Sequence, residues 1–452
     1  MGLESRISGL FVGAAVGDAL GAPFEFRPAG TYKKRFPSPA LGGRGELIGG
    51  GGFNWAPGEF TDDTQMAMVL AESMLANGLR LEPDHVFSAW RKWADVAVDV
   101  GSTTRHALSF ERWQDVTHRN PAMTAANGAL MRTFPLAVPN IDEGLRREWT
   151  LQQASLTHAH PDAGFGAWLG VAMMRAAIED NDPFAALGVE LDRLPRESHE
   201  KFSPLLSEEW SPSTATIGNG SVWGCLAGAV WAVRGASTYE DAVVRAVNLG
   251  DDADTVACVA GAIAGAMFSE QAIPSRWLAY VHGTALGKTY RLGDLENVAR
   301  SLAGMSPPRP QKERVVGPIE VFPGVHAANR AGAETVPTDW AVISLCRTEG
   351  FFSGHGVRRQ SYLLDNSHGN PHLDHAVADV VNSIDELLAE GRVVVVHCEG
   401  GRSRTCLALK AWWMKTTGGS HEEARRWLRE KWHMCTDHNT SFTDFLDRYT
   451  PK

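Results

Sequence analysis

The chain has 452 residues, 44% of them hydrophobic and 21% charged, which is the composition of a globular protein of two or three domains. A formal net charge of −10 argues against a general nucleic-acid binder, which usually carries a basic face. The six cysteines show no C-x-x-C spacing, so neither a zinc ribbon nor a disulfide framework is expected, and the cysteine usage suits a reducing, cytoplasmic protein. Arg6 and Asp18 interrupt the first apolar run, so neither a signal peptide nor a membrane span is expected there.

The first predicted helix covers 4–21 and carries Gly9, Gly13, Gly17 and Gly21 at a spacing of four. That spacing puts the glycines on one face, where another helix can approach closely; the small-residue segments 224–228 and 261–265 are the expected partners. Glu25 follows, ahead of a Pro-bearing loop. Residues 27–57 are rich in Gly and Pro and predict a long loop on the rim of a cleft. Next comes Gly-Glu-Phe-Thr61-Asp62-Asp63-Thr, in which Thr61 is placed to cap a helix and the two carboxylates fall in its first turn.

Helices are predicted at 64–77 and 84–97, followed by Asp99-Val-Gly-Ser-Thr-Thr-Arg105. In Ala126-Asn127-Gly128, the glycine permits close backbone approach. His158 and His160 sit two apart, but no Cys or third His lies at ligand spacing, so zinc is not expected. Residues 181–216 read as a polar excursion between helices. Helices resume at 218–233 and 239–247. Asp251-Asp252-Ala-Asp254-Thr255 then opens a small, apolar helix, 256–267, and a last helical region spans 275–303. Hard divalent cations take carboxylate and hydroxyl oxygens, so three acidic stretches at three helix ends make a dinuclear metal site plausible.

The order and spacing of the early Gly-Asp-x-x-Gly, Glu25, Thr-Asp-Asp-Thr and the late Asp-x-Asp-Thr resemble the ADP-ribosylglycohydrolase family, dinitrogenase reductase-activating glycohydrolases included. The resemblance implies an all-α domain over residues 1–304 with two Mg²⁺ or Mn²⁺ ions. Glu25, Thr61, Asp62, Asp63, Asp252, Asp254 and Thr255 would be the ligands. It implies that Asp99 takes the acid/base position, that Glu25 also serves catalysis, that the backbone at Asn127 and Gly128 faces the diphosphate, and that His158 contacts the ribose. Relatives often carry Asn where this chain has Ser102.

Residues 305–316, with clustered prolines and mixed charge, read as a linker. Beyond it, β-rich runs at 319–322, 340–345 and 393–396 predict an α/β domain over 317–452, with the four valines forming a strand buried on both faces. That strand runs into His397-Cys398-Glu-Gly-Gly-Arg-Ser-Arg404-Thr405 and then a helix. A Gly-rich turn before a helix can cradle a phosphate with its N–H groups, and Arg404 can clamp two phosphate oxygens. The whole arrangement resembles the dual-specificity cysteine phosphatases. It implies that Cys398 is the nucleophile, that Thr405 assists departure of the thiolate, and that Asp365 is the general acid.

The expected function is a bifunctional hydrolase. One domain would release ADP-ribose from a modified protein or small molecule, and the other would cleave a phosphomonoester through a phosphocysteine. The alternative is an ADP-ribose-binding module without turnover that delivers an active phosphatase. The expected partners are an ADP-ribosylated target and a phosphorylated substrate, with no membrane, and nucleic acid only as a modified substrate.

Overall fold

The structure is a computed structural model, and it describes residues 2–40, 45–278, 280–305, 314–346, 348, 352, 355–361, 363–365, 370 and 372–450. The chain divides into two compact units, Met1–Ser38 with Leu47–Ile273 and Tyr280–Pro308, and Pro39–Glu46 with Pro274–Ala279 and Arg309–Lys452. Most of the predicted linker, residues 306–313, lies outside the described residues.

The first unit is helical, and its centre is one helix pair. The first helix, Leu3–Gly21, is buried from Arg6 onward. By length and composition it could cross a bilayer, but here it is packed wholly inside protein. Its glycine face meets the helix Ala253–Phe268. A methyl group added at Gly9, Gly13 or Gly17 would lie 2.2, 2.4 or 2.0 Å from the backbone oxygens of Gly265, Gly261 and Ala257, so the two backbones are in direct contact. Of the two expected partners, the 261–265 segment takes this face. The 224–228 segment packs elsewhere, with Gly228 against Leu249 and Val256.

Three expectations for this unit need correction. The polar excursion 181–216 contains two helices, Pro183–Leu191 and Arg196–Leu206; Asp182 caps the first, with proline at its N-terminus. The last helical region is interrupted by an antiparallel hairpin, β1 His282–Ala285 and β2 Lys288–Arg291, in a unit that is otherwise helical. Leu286 and Gly287 make the turn with φ of +51° and +76°. Two consecutive left-handed residues are what a type I′ hairpin turn requires. The loop over 27–57 includes a short helix, Thr31–Arg35, and its glycine run packs back on the Ala22–Phe24 turn.

The second unit holds a five-stranded sheet: β3 Ile319–Phe322, β4 Val325–Asn329, β5 Ala341–Ser344, β6 Arg358–Gln360 and β7 Val394–Cys398. Their order is β3-β4-β7-β5-β6, antiparallel at β3–β4 and parallel elsewhere, with the valine strand central. Val394 and Val396 face a core with Val377, Ile384, Leu407 and Trp412, while Val395 faces Val342, Ala328 and Phe352. The alternation of faces along β7 explains why Val394, Val395 and Val396 are all buried, while Val393, just before the strand, is only partly so.

Candidate functional sites

The acidic stretches of the first unit converge because each is tied to the first helix or its neighbour. Gly21 lets the start of the Ala253–Phe268 helix approach, so that a methyl at Gly21 would be 2.4 Å from the Cα of Asp254. Beyond the Ala22–Phe24 turn, Phe26 N–H donates to the Asp251 carbonyl at 2.6 Å, and Asp251 N–H donates to Arg27 at 2.8 Å. These two bonds hold Glu25 beside Asp252. The third stretch, at the start of the helix Asp62–Ala76, is held by Asp18. Its carboxylate accepts the N–H groups of Thr61 at 2.8 Å and Thr64 at 3.0 Å, and the Thr64 hydroxyl at 2.6 Å.

Asp18 therefore does the capping expected of Thr61, whose side chain makes no cap. The Thr61 hydroxyl instead donates to Asp63 at 3.0 Å. A carboxylate from another helix is a stronger acceptor for helix N–H groups than a neighbouring hydroxyl, and it leaves the threonine oxygen facing the acidic cluster.

The electrostatics are those of crowded, buried acids. Burial first, then the charges of Asp99, Asp252 and Asp18, pushes Glu25 up to about 8. Burial raises Asp62, Asp63 and Asp254 well above the usual carboxylate range, with their neighbours adding to it, and it also raises Asp252. Asp99 is half-buried, and burial followed by Asp252 raises it to about 6, with Arg105 opposing. Thr255 is buried in the first turn of its helix.

One oxygen of Glu25 and one of Asp63 are buried without a hydrogen-bond partner. Among the described residues no three His, Cys, Asp or Glu side chains are already gathered tightly enough to enclose a metal ion. Unneutralised carboxylates repel one another, and two of the expected ligands are threonines. Acceptor-only groups with orphaned oxygens, deep in protein and facing one another, fit a hard divalent cation.

The substrate-side residues border this cluster. Asn127 donates to Asp252 at 2.9 Å and to the Asn219 carbonyl at 3.0 Å. A side chain at Gly128 would meet the His158 ring at 3.2 Å. His158 is buried, with Nδ1 on the Thr157 hydroxyl at 2.8 Å and Nε2 without a partner. Burial and then the nearby Arg132 hold it well below the ordinary imidazole range, so it is neutral. His160 caps the helix Pro161–Ile178, its Nδ1 accepting from Asp162 N–H at 3.1 Å.

Three contributors escaped the sequence analysis: Asp18; Asn219, which pins the turn through Asp252 N–H and the Gly250 carbonyl; and Arg132. Arg132 is fully buried over the Trp90 ring, 3.9 Å from its centroid, and it binds Gln153 and Thr157. A single arginine closing the otherwise small and apolar Gly-Ala-Leu-Met run after Asn127 was the available signal.

In the second unit, Cys398 ends β7 and Arg404 opens the helix Arg404–Thr417. The loop between them turns at Gly401, φ +67°, where a side chain would press on β4 and Trp432. Trp432 Nε1–H donates to the Gly401 carbonyl at 2.6 Å, and Thr436 N–H donates to that of Arg402 at 3.2 Å. His397 is fully buried with Nε2 on the Ser344 hydroxyl at 2.7 Å, and burial pushes it down to about 3. Arg404 Nη1–H donates to the Leu363 carbonyl at 3.0 Å, which brings the stretch carrying Asp365 beside the loop. Arg404 Nε and the Thr405 hydroxyl are buried without partners. The Asp365 carboxylate is not on the loop in this structure: it accepts from Asn439 at 3.4 Å, with His438 at 3.9 Å.

The ADP-ribosylglycohydrolase family profile matches residues 1–311. The ADP-ribosyl-[dinitrogen reductase] glycohydrolase of Rhodospirillum rubrum is 31% identical over 281 residues, 61% of this chain and 90% of that protein. The ADP-ribosylarginine hydrolase Tri1 of Pseudomonas putida is 31% identical over 295 residues, 60% of this chain and 73% of that protein. A solved structure described as an ADP-ribosylglycohydrolase-related protein complex aligns at TM-score 0.52 and 32% identity, over 67% of this chain and 98% of its own. With the profile spanning more than half of its length, this chain belongs to the ADP-ribosylglycohydrolase family.

Proposed function

We propose that the chain is a bifunctional hydrolase, releasing ADP-ribose from a modified target at the first site and phosphate from a monoester at the second. The observation that carries the first activity is the gathering of acidic residues from separate stretches, with orphaned oxygens, next to Asn127, Gly128 and His158. Glu25, Thr61, Asp62, Asp63, Asp252, Asp254 and Thr255 would hold two Mg²⁺ or Mn²⁺ ions. Such ions, when bound, offset the carboxylate charge and supply Lewis acidity.

The remaining work belongs to the protein. The Gly128 backbone would face the diphosphate, and neutral His158 would offer its unpartnered Nε2 to a ribose hydroxyl. Asp99, half-exposed and with its carboxyl held above the ordinary range by burial and then by Asp252, can give a proton to the leaving group or take one from water. Relatives act on dinitrogen reductase and on ADP-ribosylarginine, so an arginine linkage is the first substrate to try.

The test is chromatographic release of ADP-ribose from an ADP-ribosylarginine peptide by the full chain with Mg²⁺. Asp62→Ala or Asp254→Ala should abolish it and leave phosphate release unchanged. Undiminished release in metal-free buffer would refute the metal role. Binding of ADP-ribose without release from any linkage would instead favour the binding module.

For the second site, Cys398 Sγ would attack phosphorus as the ester P–O bond breaks, and the leaving oxygen would take its proton from Asp365. Water would then cleave the S–P bond, with Thr405 stabilising the departing thiolate. The unclaimed Arg404 Nε–H in a Gly-rich turn before a helix supports this assignment. The acid role requires Asp365 to turn from Asn439 toward the loop. Phosphate release from p-nitrophenyl phosphate should vanish in Cys398→Ser, and equal rates for the two proteins would refute it.

A further inference from the structure

Beside the Cys398 loop lies an open cavity of ≈ 760 Å³ that the chemistry above does not use. The loop itself forms one wall, through Glu399, Gly400 and Arg402. Arg314 and His433 contribute from two other segments. All three cationic or donor side chains stand on fastened backbone. Buried Asn329 donates its side-chain N–H to the Arg314 carbonyl at 2.7 Å, and its Oδ1 accepts from Val316 N–H at 3.0 Å. The Arg402 carbonyl is held by Thr436 N–H, and His433 follows Trp432, whose indole grips the loop.

The charge balance of this cavity is one-sided. Neither Arg314 nor Arg402 has an ion-pair partner among the described residues. Glu399, the one acidic residue in the described lining, is paired with Arg330 at 3.2 Å. Two free guanidiniums and an imidazole around one opening favour a multiply charged anion, and guanidinium suits phosphate oxygens in geometry as well as charge.

We propose that this cavity binds a second phosphate of the same substrate whose first phosphate enters the Cys398 loop, which makes the preferred phosphatase substrate a small bisphosphate. The inference rests on the phosphatase assignment and narrows its substrate class. Arg402 sits at the junction, with its backbone in the loop and its side chain in the cavity wall.

The experiment measures kcat/KM of the full chain on glycerate 2,3-bisphosphate and fructose 1,6-bisphosphate, a short and a long span between phosphates. Each is compared with its monophosphate, and p-nitrophenyl phosphate serves as the loop control. At least one bisphosphate should exceed its monophosphate by about tenfold, the scale of one charge-assisted contact. Arg314→Glu should collapse that ratio, and Arg314→Ala should lower it part way. Equal use of mono- and bisphosphates, or a ratio unmoved by Arg314→Glu, overturns the proposal. So does a preference for phosphopeptides with acidic flanks over both bisphosphates. Failure of the phosphatase assignment is seen separately, as p-nitrophenyl phosphate turnover that is absent or survives Cys398→Ser, and it takes this proposal down with it.

Discussion

Replacing Gly17 by alanine should destabilise the first unit, although the same change stabilises an ordinary helix. In an open helix interior, Gly→Ala gains about 1 kcal/mol from backbone entropy. At Gly17 the new methyl would lie 2.0 Å from the Ala257 carbonyl oxygen and 2.7 Å from its carbon. A carbon–oxygen contact needs about 3.2 Å or more, so the two helices must part by about 1 Å; overpacking of this kind typically costs about 1–3 kcal/mol, and backbone cannot yield as a side-chain tip does. The net effect should be a loss of up to about 2 kcal/mol, read as a fall of a few degrees in thermal midpoint. Parting the helices also carries Asp254 and Thr255 away from Asp62 and Asp63, so Mg²⁺ affinity should weaken as well. Gly188 is the internal control: it is exposed in the Pro183–Leu191 helix with nothing within 4 Å of an added methyl, and Gly188→Ala should be neutral or stabilising. The assay is calorimetry of both variants, with Mg²⁺ titration of the first. A higher midpoint for Gly17→Ala would refute the backbone contact between these helices.

Arg404→Lys should lose most phosphatase turnover despite keeping its charge, because the fork geometry goes; near-normal kcat on p-nitrophenyl phosphate would count against a bidentate clamp. Asp365→Ala should slow an alkyl phosphate far more than an aryl one, since a good leaving group needs little protonation, and an equal slowing would remove Asp365 as the acid. His397 is neutral and buried, with its folded-state value depressed to about 3 from an unfolded value of 6.5. The unfolded chain therefore binds the extra proton first, and stability should fall as pH drops below about 6.5, by up to about 1.4 kcal/mol per unit, levelling off near 3. Denaturant titrations at pH 7 and pH 5 should show a smaller difference in His397→Asn. Expressed separately, residues 1–304 and 317–452 should each fold; two insoluble products from a chain that folds cooperatively would place the boundary elsewhere.

The periodic and close-packed parts of the fold were legible in the sequence. Glycines every fourth residue announced the contact between the first helix and Ala253–Phe268, and four consecutive valines announced a strand covered on both sides. The hairpin β1–β2 was lost because its strands are only four residues each and lie between helices. Among candidate site residues, those on short local motifs were placed near one another. The supports were not visible, because they act across the chain: Asp18 caps a helix 43 residues later, and Asn219 fixes a turn 33 residues on. A sequence window suggests that Thr61 can cap; it carries no information that a stronger acceptor arrives from elsewhere. Asp365 is a further case, since the direction of its side chain depends on Asn439, 74 residues on.

The contact between the first helix and Ala253–Phe268 also has a consequence for biosynthesis. Gly17 leaves the ribosome 240 residues before Ala257. At about 5–20 residues per second, that interval is about 12–48 s. Throughout it, a helix apolar enough to pass for a membrane segment lacks the partner that covers its glycine face. The helix that anchors the acidic site is thus made long before the partner that covers its glycine face, which makes the nascent first unit a client for chaperones that cover apolar segments until the distant partner appears.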